Sequence, residues 1–453
     1  MQRAKTLKTK TLSGVHSLAP LAQLFSDQNR EFVWLDSAQG HPERGRYSVL
    51  CLTEEGGYRL NGQCARNFAN TELIQEMRAA YLKDRKPCQK GVNEDGFLGG
   101  WIGYISYEAQ IDFDRAFPGR EACLPYPRLC FKPSYLGATL DHRKQRLILW
   151  SWSWENESNL FEEWTRTLSS DNLRSAKCSD DWSLSGELNA NWHQQSVSEI
   201  LKRIFAGEIY QANLTAPIEV KPGLNPLNLY FKLRKAAPSD FAAYLSWPEL
   251  KLLSSSPERF FCLKNGIIRS RPMKGTRPRN KDKGVDQALK SALAASAKDR
   301  AENLMIVDLV RNDLGRVAET GSIEVTDLFS VESYSTVYQM TSGIQAELKK
   351  GKDVFHALEA LFPPGSMTGA PKVQATRVIR QIEPDVRGIY SGTIGMIDWQ
   401  GNGTFNVVIR TLVLSNNRAS WSVGGGIVAD SSAAEEYREA LDKLRAFKRA
   451  LDL

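Results

Sequence analysis

Pro257-Glu-Arg-Phe-Phe-Cys-Leu-Lys264, then Asn265-Gly266, then Ile267-Ile-Arg-Ser-Arg-Pro-Met-Lys274-Gly-Thr-Arg-Pro-Arg279: two runs of strand-forming residues flank a dipeptide that favours a tight reverse turn. A hairpin here makes the local sheet antiparallel. It also folds the carboxylate of Glu258 back toward the amine of Lys274, and register decides whether they meet. A two-residue turn pairs Glu258 with Met273 and turns Lys274 to the opposite face. A three-residue loop with Gly266 left-handed pairs Glu258 with Pro272 and makes Lys274 its same-face diagonal neighbour. The reading favours the second register, or a bulge near Pro272 with the same effect.

Lys274 lies between Pro272 and Gly275 among four arginines. An amine among fixed cations gives up its proton more easily, and a neutral lysine is a nucleophile. Taken alone, the same segment also reads as a solvated loop or a phosphate-binding patch.

The chain has 453 residues, 42% hydrophobic and 25% charged, which suits a globular protein of two or three domains. A net charge of +7 does not by itself imply nucleic acid, and anionic small substrates fit it as well. Seven cysteines at irregular spacing, with no Cys-x-x-Cys, indicate neither a disulfide framework nor zinc, so a reducing, cytoplasmic compartment is expected. The N-terminus has charges but no apolar signal core, and no run of 18 apolar residues occurs, so neither export nor a membrane span is expected. The five histidines lie away from the motif-like segments; proton transfer then falls to carboxylates and lysine, and any metal is a hard cation such as magnesium.

Residues 1–168 read as short strands and turns, 169–191 as a polar linker, and 192–453 as longer helices between strands. One long helix is expected from about 286 to 314, ending at Gly315, and a last one from about 432 to 451. Hairpins and helices mix without regular βαβ alternation, so the class is α+β.

Glu302 falls on the apolar face of the long helix with Ile306 and Leu309, where a carboxylate needs a partner: an arginine such as Arg300 or Arg311, or a cation. Ser422-Val-Gly-Gly-Gly-Ile-Val-Ala-Asp-Ser-Ser432 reads as a strand entering a glycine turn and then a helix, with Ser432 and Glu435 spaced as a capping box. Such glycines expose N–H groups that suit a carboxylate or phosphate. Glu436 and Glu439 project from neighbouring helical positions and could share a cation with Glu302, or Glu439 could simply pair with Lys443. Phe362-Pro-Pro-Gly-Ser-Met-Thr-Gly-Ala-Pro-Lys372 lacks the Gly-Lys-Ser/Thr of a nucleotide loop. Arg410, on an apolar strand, calls for an anion that a bidentate carboxylate would satisfy.

Together, Pro272-Met-Lys-Gly-Thr276, Ala301-Glu-Asn-Leu-Met-Ile-Val-Asp-Leu-Val-Arg-Asn-Asp313, Gly365-Ser-Met-Thr-Gly-Ala-Pro-Lys372, Ile409-Arg-Thr411 and Gly424-Gly-Gly-Ile-Val-Ala-Asp430 resemble the chorismate-utilising enzyme family in order and spacing over residues 192–453. The N-terminal half resembles it more loosely, through Leu35-Asp-Ser37, Gly45-Arg-Tyr-Ser48 and Gly207-Glu-Ile-Tyr-Gln-Ala-Asn-Leu-Thr215. The resemblance implies the chorismate-binding fold, large antiparallel sheets packed as a sandwich with helices outside. A lysine at position 274 is similar to the branch of the family that aminates chorismate at C4 on the way to 4-aminobenzoate and folate.

As the resemblance implies, Glu302 and Glu439, with Glu436 nearby, would hold Mg²⁺, and Arg410 with the Gly425, Gly426 and Ile427 backbone would hold substrate carboxylates. Thr276, Thr368, Gly369, Tyr390 and Lys443 would complete the substrate site. Glu258 would be the general acid for the C4 hydroxyl and Lys274 the nucleophile at C2. Ammonia would then displace the lysine, giving 4-amino-4-deoxychorismate. No glutaminase nucleophile is recognisable, so the resemblance implies a separate glutamine amidotransferase subunit. It also implies a tryptophan pocket at Ser37, Arg44, Gly45, Arg46, Tyr47, Asp240, Phe241 and Ala242; Asp240 there could pair with a bound amine or spoil the pocket.

Anthranilate synthase component 1 is the rival of the same fold, opposed by the bulk of Lys274 on the C2 side. An isochorismate synthase would carry its water-activating lysine elsewhere in the pattern. A catalytically silent tryptophan-binding subunit is opposed by the intact Glu258, Lys274, Glu302 and Glu439, and nucleic-acid binding by the lack of aromatics among the arginines.

Overall fold

The computed structural model describes residues 6–38, 45–60, 70–86, 96–114, 116–118, 123–152, 158–169, 181–334 and 337–453. Two antiparallel sheets dominate, so the α+β reading holds. The first has twelve strands, running from Lys8–Ser13 at one edge through Arg146–Ser151, Leu136–Asp141, Tyr47–Leu52, Phe32–Asp36, Ala242–Ser246, Lys251–Ser254, Thr411–Ser415, Arg418–Ile427 and Gln211–Lys221 to Gly369–Ala370, with Ser183–Leu184 attached to Gln211–Lys221. The second has ten, from Met273–Pro278 through Val337–Glu347, Ile267–Ser270, Arg259–Lys264, Gly403–Asn406, Thr393–Asp398, Gly100–Ile105 and Leu129–Ser134 to Tyr58–Leu60, with Glu324–Ser333 on Val337–Glu347. Both sheets take strands from either side of residues 169–191, and 170–180 lie outside the described residues.

Alternation of side chains gives the first sheet two apolar faces. Val33, Val49, Cys51, Leu245 and Leu252 meet Trp101, Phe131, Phe261 and Ile268 of the second sheet in one core. Phe32, Trp34, Leu50, Tyr244 and Leu253 pack on the other face against helical Phe25, Trp164, Tyr230 and Phe447. The result is a sandwich with helices outside. Among the described residues no helix is long and apolar enough to cross a membrane.

The hairpin forms as expected, but in the other register. Asn265 and Gly266 both have positive φ, 53° and 81°, and Lys264 pairs with Ile267, so the turn has two residues. The strand pairing of the hairpin ends at Cys262↔Arg269. Beyond it Pro272, which has no N–H to give, parts Ile267–Ser270 from Met273–Pro278. Met273–Pro278 then continues on Val337–Glu347, with a bulge at Gly275, whose φ is 76°. This detour keeps Lys274 near Glu258 despite the register.

The long helix also differs. It is two helices, Lys283–Ala295 and Ala297–Gly315, parted at Ser296, whose Oγ accepts from the Asp299 amide at 3.3 Å and so caps the second. The last helix divides likewise into Ala433–Asp442 and Arg445–Ala450. Ser432 occupies its N-cap position but makes no side-chain cap hydrogen bond, so the capping box is absent.

Candidate active site

The three glycines 424–426 are not a turn: they lie within the strand Arg418–Ile427, paired with Gln211–Lys221 from Ala212↔Ile427 to Val220↔Ala419. The other neighbour, Thr411–Ser415, reaches only to Trp421. The strand therefore has an open edge from Ser422 onward, and alternate residues aim both backbone groups at it. Lys443 Nζ already donates to the Gly424 carbonyl there at 2.6 Å. By the same alternation the Gly426 N–H faces the open edge, while those of Gly425 and Ile427 face the ladder. Of the three residues expected to offer backbone donors, Gly426 is the one so placed. The Ile427 side chain packs with Ala212 and Leu214, away from this edge.

Glycine is needed here for space. A Cβ on Gly426 would stand 2.6 Å from Gln211 Nε2 and 3.2 Å from Lys274 Nζ; one on Gly425 would stand 3.3 Å from Glu436 Oε2, 3.5 Å from Lys443 Nζ and 3.8 Å from Glu439 Oε1. Two bare glycines thus bring the second sheet's Lys274 and the C-terminal helix's Glu436, Glu439 and Lys443 against one strand end.

Glu258 is buried, and burial pushes its carboxyl from 4.5 up to about 7, against the lowering pull of Ser366, the charge of Lys274 and the Met273 amide. A carboxyl titrating there can carry a proton at neutral pH. Glu302 is partly buried and raised, first by burial, with Lys274 and Lys298 opposing and Glu436 reinforcing. Glu436 is raised by burial and by Glu439, while Ser431 donates to its Oε1 at 2.6 Å. Glu439 is lowered, chiefly by the charge of Lys443, 2.9 Å away. The expected Glu439–Lys443 pair is therefore present. The arginine alternatives for Glu302 are not: Arg300 lies over the Phe329 ring and Arg311 pairs with Asp308.

The cation crowd around Lys274 is a correction. Arg271 is bound to Asp327 and Glu332, Arg277 to Asp299 and Arg279 to Asp286. Each of these guanidinium charges is matched by its own carboxylate. The charges that face Lys274 are Glu258, Glu302 and Glu439.

Among the described residues no three acidic, histidine or cysteine side chains stand as a ready metal-binding group. Magnesium needs less than that, since it keeps several waters and takes one or two carboxylates. An all-oxygen set of Glu302, Glu436 and Glu439, with two members raised by burial and mutual repulsion, suits such an ion.

Arg410 has φ 50°, its pKa is lowered by burial, and it forms no ion pair with a described residue, as an anion-binding guanidinium would. Tyr390 is buried and its hydroxyl pKa raised by burial. Thr368 turns its hydroxyl back to Gly365 O at 3.2 Å, and Gly369 presses on the Gln211 carbonyl, where a Cβ would come to 2.1 Å. Thr276, past the bulge, is exposed and bonds Gln339 at 3.0 Å. Lys372 is structural, donating to Asp313 at 2.6 Å and to Leu361 O at 2.9 Å.

Sequence reading missed Gln211 and Lys298. Gln211 is fully buried, and neither of its amide atoms has a partner, although it faces Gly426 beside Lys274. The signal was a polar residue at every second position of the strand start Gln211-Ala-Asn-Leu. Lys298 is charge-coupled to Glu302, Glu436 and Glu439.

The residues expected to form a tryptophan pocket also lie together. Ser37 Oγ donates to Tyr47 O at 2.9 Å and Asp240 O at 3.1 Å, and a Cβ on Gly45 would stand 2.8 Å from Asp240 Oδ1. Arg46 pairs with Asp141 at 2.7 Å and covers the Tyr47 ring. Phe241 O accepts from Asn406 at 2.9 Å, and Ala242 pairs with Asp36. Arg44 lies outside the described residues.

Residues 30–449 match the family described as chorismate binding enzyme. Aminodeoxychorismate synthase component 1 of Bacillus subtilis (strain 168) is 34% identical over 443 residues, 94% of this chain and 93% of that protein. Aminodeoxychorismate synthase of Streptomyces griseus is 36% identical over 440 residues, 92% of this chain, which spans only 60% of that protein's length. The crystal structure of anthranilate synthase component I from Streptococcus pneumoniae TIGR4 superimposes with a TM-score of 0.75 at 26% identity, covering 89% of this chain and 92% of that one.

Proposed function

The chain belongs to the chorismate binding enzymes, and within that family we propose that it converts chorismate and ammonia to 4-amino-4-deoxychorismate, the chemistry in the names of the Bacillus and Streptomyces griseus relatives. The observation that carries this reading is Lys274 Nζ at the bare Gly426, charge-coupled to a buried Glu258 that titrates at about 7.

The chemistry follows from these placements. Chorismate is a dianion whose C4 hydroxyl leaves poorly without a proton. Gly426 N–H and Arg410 supply donors for its carboxylates. Lys274 forms a bond to C2 as the ring electrons shift and the C4–O bond breaks, and Glu258 delivers the proton that makes the leaving group water. The ionised Glu258 takes the proton shed by the alkylated lysine. Ammonia then bonds to C4 as Glu258 returns its proton to the lysine nitrogen, the electrons shift back, the C2–N bond breaks, Lys274 leaves as a neutral amine, and the new C4 ammonium gives its extra proton to Glu258. Chorismate plus ammonia has become aminodeoxychorismate plus water, with the enzyme unchanged. Magnesium, which Glu302 and Glu439 would hold with Glu436 beside them, supplies neutralisation of a substrate carboxylate when bound.

A separate subunit releasing ammonia from glutamine fits the word "component" in the Bacillus relative's name and the length of the Streptomyces griseus relative that this chain does not span. We place the product on the route to 4-aminobenzoate and folate, in a cytoplasmic setting.

The likeness to an anthranilate synthase component I supports a second reading, in which the same dianion yields anthranilate. Incubation of the purified chain with chorismate, Mg²⁺ and an ammonium salt at alkaline pH, with products resolved by mass, separates the two. Aminodeoxychorismate, lost in Lys274→Ala, is expected; anthranilate as the main product would overturn the assignment.

A further inference from the structure

We propose that ammonia reaches Lys274 along one face of the strand Gln211–Lys221, from a cavity of about 330 Å³ whose walls include Trp192, Thr215, Glu383, Arg387 and Ser422. This rests on the amination of chorismate argued above. Gln211, Asn213 and Thr215 are every second residue of a strand that pairs without a bulge, so they share that face. The intervening Ala212 and Leu214 pack on the opposite side with Val197 and Ile379. Thr215 lines the cavity, and Gln211 stands beside Lys274 across the gap left by Gly426. The two ends are four residue steps apart along the strand, about 13 Å.

Two features mark this face as a path for a small polar molecule. Gln211 is fully buried and Asn213 is 5% exposed, yet both amide atoms of Gln211 and the Nδ2 of Asn213 lack partners. A buried amide atom with no partner is destabilising unless a polar molecule visits it. A molecule that both donates and accepts hydrogen bonds, as ammonia does, satisfies an amide at either atom.

The second feature is Arg387 at the cavity end. All five of its N–H donors are committed: Nε and one terminal nitrogen to Glu383, and the rest to Met367 O, Ser391 Oγ and Asn213 O. Its charge is fixed and buried, and it offers no donor to a passing ligand. With Glu383 beside it the pair adds no net charge, and an ammonium ion leaving water for this buried wall would forfeit its hydration, so the neutral molecule is the one that passes. Glu187 and Asp385, also on the cavity wall, gather ammonium, which sheds its proton to water before entering.

The test uses the full chain with chorismate, Mg²⁺ and ammonium chloride, in wild type, Ser422→Trp at the cavity and Asn213→Leu midway. The readouts are KM for ammonium, KM for chorismate, and the Lys274 adduct by intact mass. Both variants are expected to raise the ammonium KM by about tenfold or more while the chorismate KM and adduct stay within about twofold. An unchanged ammonium KM in Ser422→Trp overturns the route, and so does an equal rise in both KM values, which would mark a general disturbance. If wild type makes no aminated product from ammonium, the assigned activity fails first and the route with it.

Discussion

Replacing Glu258 with glutamine keeps the side chain's size and its hydrogen-bonding oxygen but removes the ionisable group. In the fold that carboxyl titrates at about 7 against an ordinary 4.5, mainly because it is buried. A raised folded pKa means that the fold prefers the protonated form. The stabilisation is complete below 4.5, is lost as pH rises through 7, and is absent above. At about 1.4 kcal/mol per pH unit, the gap corresponds to about 3 kcal/mol. Urea unfolding followed by tryptophan fluorescence at pH 4.5, 6 and 8.5 reads this in wild type and Glu258→Gln. The variant is expected to gain about 3 kcal/mol relative to wild type between the two extremes, most of it by pH 7. The other titrating groups cancel in that difference. Parallel stability curves for the two proteins would refute a proton held on Glu258, and the general-acid role with it. In turnover, the Glu258→Gln substitution is expected to cost about 10²–10⁴-fold in kcat.

Gly426→Ala places a Cβ against Gln211 and Lys274, so kcat/KM is expected to fall about 100-fold with urea stability little changed. Without ammonia, the Lys274 adduct should accumulate with Mg²⁺ and chorismate and fall to a small fraction in EDTA, read by intact mass; full adduct in EDTA would remove the metal from the mechanism. Ser296→Ala should cost about 1 kcal/mol through the lost helix cap, visible as a lower urea midpoint. Lys372→Met leaves Asp313 buried and unpaired and should cost about 3–5 kcal/mol.

Local chemistry carried much of this structure. Asn265-Gly266 announced its turn because only residues tolerant of positive φ fit both central positions. The break at Ser296 was also local, yet it lay inside a run whose apolar spacing outweighed a single capping residue. Long-range pairing was not legible at all. Nothing in the sequence near 100 or 393 says that Gly100–Ile105 and Thr393–Asp398 lie side by side, or that both sheets are shared between the two halves of the chain.

The same divide explains the environment of Lys274. From the sequence, the arginines around it were visible and the partners of Arg271, Arg277 and Arg279 were not, because Asp327, Glu332, Asp299 and Asp286 come from another strand of the sheet and from helices. With Arg271, Arg277 and Arg279 matched, the lysine faces Glu258, Glu302 and Glu439 instead. Three carboxylates around a group that must attack a dianionic ring add to the negative charge already there. A nucleophilic lysine at neutral pH then requires that those charges be offset: Glu258 by its proton, Glu439 by Lys443, and Glu302 by a bound cation. If Lys274 is the nucleophile, its own task thus calls for a cation near Glu302, independently of any requirement of the substrate.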